Sequence, residues 1–133
     1  MSDANIELVR RLYAAWNEGD VPGVLDLLDP AGFEFVEPPE FPGARTVSGR
    51  AAFATVLGRQ LEDRGAFRIE CDEIEATDDT VLAAVGEVAS GERSIGRERS
   101  FFHVWRVREG KLARLELFLA RADAAAAAGL AGR

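Results

Sequence analysis

The chain has 133 residues, 47% of them apolar, and a formal charge of −7 from 23 acidic and 16 basic side chains. That length suits one domain around one core, and the apolar share excludes a disordered chain. The acidic balance repels polyanions, so nucleic acid is not an expected partner. One cysteine, Cys71, and one histidine, His103, provide neither an internal disulfide nor a zinc-type ligand set, and no metal is expected. The segment Met1-Ser2-Asp3-Ala4-Asn5 is polar and acidic, and no apolar run nears the ~20 residues that span a bilayer. The expectation is a soluble, cytoplasmic protein without membrane contact. No P-loop or Gly-x-Gly-x-x-Gly turn is present, which removes the common nucleotide chemistries.

In residues 5–18, Ile6, Val9, Leu12, Tyr13 and Trp16 recur at helical spacing with Glu7, Arg10 and Arg11 between them, which predicts an amphipathic helix. Gly19 suits its C-terminal cap. Asp20 can cap a second helix with Pro22 in its first turn, and Pro30 ends it. Residues 33–37 alternate as a strand that puts Phe33, Phe35 and Glu37 on one face. The prolines of Pro38-Pro39-Glu40-Phe41-Pro42-Gly43 make the next stretch a loop. Ser48 is the expected cap of a third helix with Phe53, Val56 and Leu57 in its stripe, closed by Gly65.

Beyond it, 67–75, 80–89, 95–108 and 111–119 read as strands, joined by turns at 77–79 and 109–110 and a loop near 90–92. Short connections make these four an antiparallel meander. Cys71, in step with Phe67 and Ile69, reads as a small buried hydrophobe. The alanine-rich tail 121–133 is helix-permissive, with Gly129 and Gly132 limiting its length, and reads as a short lid helix or a frayed end. Helices first and a sheet afterwards give a single α+β domain over 1–133, with the helices on the concave face of the sheet and a pocket between the layers.

Several segments resemble the SnoaL-like branch of the nuclear transport factor 2 superfamily: Leu12-Tyr13-Ala14-Ala15-Trp16-Asn17-Glu18-Gly19-Asp20, Leu27-Leu28-Asp29-Pro30, Val36-Glu37-Pro38-Pro39, and His103-Val104-Trp105-Arg106-Val107-Arg108-Glu109-Gly110-Lys111-Leu112. The likeness runs over residues 5–119. It implies a cone-shaped fold around a deep pocket and a homodimer through the sheet. The superfamily includes ketosteroid isomerase, polyketide cyclases, limonene-epoxide hydrolase, dehydratases and non-catalytic binding modules, so the fold alone does not choose a function. Glu37, before Pro38, is similar to the isomerase's general base. The isomerase's oxyanion tyrosine falls at Leu12 and its second oxyanion acid at Phe102. The last-strand acid of the epoxide hydrolase and cyclases falls near Leu117.

On this reading Glu37 is the candidate proton carrier, because general acid–base work needs a carboxylate set in an apolar wall. Tyr13 is the candidate donor to a ligand oxygen. Trp16, Phe33, Phe35, Phe53, Leu57, Phe102, Val104, Leu115, Leu117 and Leu119 are the expected pocket residues, with Trp16 better suited to core or interface packing. This register turns His103 and Trp105 to the opposite face. The reverse register would make His103 and Glu116 an acid–base pair. Glu87 reads as a solvated charge at a strand end, with a pocket acid as the alternative. The leading expectation is a cofactor-free isomerase, cyclase or lyase acting on an apolar carbonyl compound. The alternative is a non-catalytic binder of an apolar ligand, or a dimerisation module.

Overall fold

The apolar stripe of the first helix and the alternating runs after residue 66 build two packed layers. The computed structural model describes residues 2–64, 67–89 and 97–130. In chain order these form α1 (Ser2–Asn17), α2 (Val21–Asp26), β1 (Glu34–Val36), β2 (Thr46–Ser48), α3 (Arg50–Arg64), β3 (Phe67–Thr77), β4 (Thr80–Ala89), β5 (Arg97–Arg108), β6 (Lys111–Phe118) and α4 (Arg121–Ala128). Gly65, the loop at 90–92, the strand start at 95–96 and Gly132 lie outside the described residues.

The six strands form one curved sheet in the order β2-β1-β6-β5-β4-β3. β3 to β6 make the antiparallel meander that their short turns imply. β1 runs parallel to β6. The three-residue β2, which carries no readable alternation, pairs with β1. The fold is α+β, as expected. No described helix is long and apolar enough to cross a membrane.

α1 is tied to the outer edge of the sheet at its C-terminal end. The Asn17 amide donates to the Ile69 carbonyl at 2.9 Å and accepts from the Ile69 N–H at 2.8 Å, so one side chain stands in for a neighbouring strand. Asp20 caps α2 through the Gly23 N–H. A Cβ on Gly23 would lie 2.2 Å from the Asp20 carboxylate, so a larger residue there would push the capping side chain aside. Beyond α2, Leu27 and Asp29 exchange backbone hydrogen bonds with Leu112, and Arg108 grips the Asp29 carboxylate. The Leu-Leu-Asp-Pro segment thus fastens the helical layer to the β5–β6 turn. In that turn Glu109 and Gly110 both take positive φ, 50° and 75°.

Ser48 does not cap the third helix. It ends β2 opposite Glu34, and Gly49, at φ +94°, turns the chain into α3.

Two β-bulges decide which side chains face inward. On β3 the pairing steps from Cys71↔Val85 to Glu73↔Ala84, so Ile74 and Ala76 take over the inner face from Phe67 and Ile69. Cys71, next to the bulge, is exposed rather than buried. On β6 the pairing steps from Val107↔Leu112 to Arg106↔Arg114, leaving Ala113 as the extra residue. A ladder without that bulge would pair Val104 with Leu115 and Phe102 with Leu117, which is the register expected from the sequence. The bulge instead pairs Trp105 with Leu115 and His103 with Leu117, turning His103 and Trp105 inward.

The main core lies between α1–α3 and the inner face, around Val9, Leu28, Phe33, Val81, Trp105 and Leu112. A second cluster covers the outer face, where Ala124, Ala128 and Leu130 pack with Leu82 and Val104. α4 therefore closes the back of the sheet and is no lid over the pocket.

Candidate functional site

The concave side of the sheet encloses a cavity of about 220 Å³, bounded by α1, α3, β5, β6 and Phe41 of the Pro38–Gly43 loop. Its walls are mostly aromatic and aliphatic. Phe35, Phe53, Leu57, Leu115 and Leu117 line it, as does Trp16. Trp16 also donates from its indole N–H to the Phe67 carbonyl at 3.2 Å. Phe41 closes on Phe101 edge to face at 5.7 Å.

Four expected wall residues are elsewhere. Phe33 is wholly buried against Phe53, with ring centroids 5.0 Å apart, in the closed core and not at the cavity. Phe102 and Val104 point to the outer face because of the Ala113 bulge. Leu119 follows the end of β6 and is exposed. The paired alternative, His103 with Glu116, does not form either: Glu116 sits opposite Val104 and shares its outward face, while His103 faces in.

Glu37 is at the cavity wall. It follows the last residue of β1, its N–H donates to the Arg45 carbonyl at 3.0 Å, and its carboxylate meets the Arg45 guanidinium at 3.1 Å. Its side chain is 14% exposed. Glu87 lies in the same cavity and is buried, in the pocket position that was the alternative to a solvated strand end. It accepts from Nε of Arg99 at 3.0 Å, directly across the β4–β5 ladder, while that guanidinium rests 5.0 Å over the Phe101 ring.

At the floor stand Tyr13, His103 and Trp105. The Trp105 indole N–H donates to the Tyr13 hydroxyl at 3.0 Å, and that hydroxyl lies 2.8 Å from Nδ1 of His103. Tyr13, expected to donate to a ligand, has its oxygen engaged by two protein groups. Burial pushes the His103 imidazole down to about 3, so the ring is neutral at pH 7. Burial likewise pushes the Tyr13 phenol above its ordinary range. Gln60 of α3 adds an amide to the wall. Among the described residues, no group of three His, Cys, Asp or Glu side chains is gathered that would hold a metal ion.

A model of the SnoaL-like domain matches residues 9–115, most of the chain. The protein belongs to the SnoaL-like domain family. No curated protein matches its sequence significantly. Among solved structures, this SnoaL-like chain is similar to TerC co-crystallised with polyporic acid, at 25% identity and a TM-score of 0.73, covering 88% of this chain and 92% of TerC. It is also similar to Bal32a from a soil-derived mobile gene cassette, at 23% identity and a TM-score of 0.76, with 97% of each chain covered. A third, from Kribbella flavida and proposed to be a ketosteroid isomerase, is 16% identical with a TM-score of 0.70, over 91% of this chain and 81% of the other. The last two likenesses are of fold.

Proposed function

We propose that this SnoaL-like protein is a small enzyme that moves a proton on an apolar carbonyl compound held in the cavity, using its own side chains and no cofactor. The observation that carries this reading is Glu37, a carboxylate at the wall of a mostly aromatic and aliphatic cavity. The carboxylate takes a proton from the carbon beside the carbonyl, and the C–H electrons pass into an enolate. The protonated carboxyl then returns the proton to carbon, at the same or a conjugated position, which balances the reaction without redox change. The co-crystal of TerC with polyporic acid supports a small organic molecule as occupant.

Glu37→Gln keeps the shape and removes the base. Turnover of a reactive ketone or polyketide should fall by roughly 10²–10⁴-fold, with ligand affinity retained; unchanged turnover would sink the proton role. A second reading, a non-catalytic container for an apolar ligand, is favoured by one observation. Glu37 and Glu87 each have an arginine partner, at 3.1 and 3.0 Å. Binding without any turnover in the parent protein would establish it. We also propose a homodimer through the sheet, using outer face beside α4, which a sedimentation mass near 14.4 kDa at micromolar concentration would refute.

A further inference from the structure

We infer that His103 is the residue that grips the ligand: its Nε2–H donates to an acceptor oxygen, a carbonyl or enolate, of the compound in the cavity, while Tyr13 and Trp105 are positioning residues that keep the proton on Nε2. This rests on the cavity reading above and is independent of whether Glu37 moves a proton.

The assignment follows from what each group is able to donate. An indole N–H donates only, so the Tyr13 oxygen must accept from Trp105. The phenol has one proton, and the acceptor described within reach is Nδ1 of His103. Nδ1 is then unprotonated, and a neutral imidazole carries its proton on Nε2. The opposite arrangement, with Nδ1–H donating to Tyr13, would strand the phenol proton and leave Nε2 a bare acceptor. It has two unsatisfied groups where the first has one, and unsatisfied buried groups are costly. Among the described residues Nε2 has no hydrogen-bond partner, and His103 lines the cavity.

The ring is also held rigidly. His103 is mid-strand, paired with Ala83 on one side and Leu117 on the other, with Phe101 and Trp105 flanking it on the same face. Such a donor asks for an acceptor oxygen on an apolar body. Because the imidazole is neutral, it does not require the ligand to be anionic, yet it stabilises negative charge as it grows on that oxygen.

Two compounds that differ only by the oxygen test this. Binding of 1-indanone and indane is measured on the intact protein, and the His103 nitrogens are observed by ¹⁵N NMR. The wild type should show the Nε2–H tautomer and bind 1-indanone roughly tenfold tighter than indane. His103→Leu should erase the preference with indane binding unchanged. Tyr13→Phe, which leaves the histidine in place, should mix the tautomers and shrink the preference. A wild-type Nδ1–H tautomer, or equal affinities for the two compounds, overturns the inference about His103 alone. Failure of both compounds to bind up to their solubility overturns the cavity reading with it. Glu37→Gln should keep the indanone preference whatever it does to turnover, so the two proposals fail separately.

Discussion

The Tyr13 hydroxyl and Nδ1 of His103 lie 2.8 Å apart across 90 residues of sequence, joining the first helix to the middle of the longest strand. With the Trp105 indole donating to the same oxygen, the contact is a buried three-membered chain inside the main core. Tyr13→Phe removes the centre and leaves both Trp105 Nε1–H and His103 Nδ1 without their partner. The expected loss is roughly 2–3 kcal/mol, the cost of unsatisfied buried polar groups, read as a lower urea midpoint at unchanged slope. A loss below about 0.5 kcal/mol would mean that the chain contributes little net stability.

The same burial makes His103 a source of pH dependence. Its folded-state value, about 3, lies below the ordinary 6.5, so between those limits the unfolded chain binds more protons than the folded one. Stability therefore falls as pH drops from about 6.5 towards 3 and is insensitive to this group above 6.5. The His103 contribution to the slope is at most about 1.4 kcal/mol per pH unit. Urea titrations of the wild type and His103→Leu at pH 4, 5, 6 and 7 should show the acid-side slope reduced in the variant. Parallel curves would refute the linkage.

Much of the architecture is written in local patterns. The 3–4 spacing of Val9, Leu12, Tyr13 and Trp16 gave the first helix, Asp20 and Pro22 the second, and short turns the meander. Glu37 came to the cavity wall by simple alternation from Phe35. What local pattern did not reveal is the register of β5, because Phe101 to Trp105 carries large, mostly apolar side chains on both faces: one face meets the cavity and the other meets α4. Period two cannot choose sides in such a run. The one available signal was on the partner strand, where Leu112, Leu115 and Leu117 break strict alternation with an interval of three. The place of Glu87, pocket or solvent, stayed open for a related reason, since its partner is Arg99 across the ladder and not a neighbour in sequence.

That interval gives a direct test of the bulge. Deleting Ala113 removes the extra residue and would force either β6 or β5 to turn its inward set outward, exposing Leu115 and Leu117 or Trp105 and His103. The deletion should abolish cooperative unfolding by circular dichroism, whereas Ala113→Gly, which preserves the count, should cost about 1 kcal/mol or less. A deletion variant that folds with near-wild-type stability would show that the strands tolerate both registers.

The position of α4 makes a contrasting prediction, because its cluster and the cavity lie on opposite faces of one sheet. Leu130 is 7% exposed and packs with Leu82 and Val104 behind the strand that carries His103. Leu130→Ala should cost roughly 2–3 kcal/mol, as large-to-small changes in a core do. Affinity for 1-indanone should stay within about twofold, a change of under half a kcal/mol, since no cavity wall is touched. Lost stability with retained affinity fits a helix that braces the back of the sheet. Retained stability with a large change in affinity or in ligand release rate would instead mean that this segment gates the cavity, and would require α4 to leave the outer face when ligand enters.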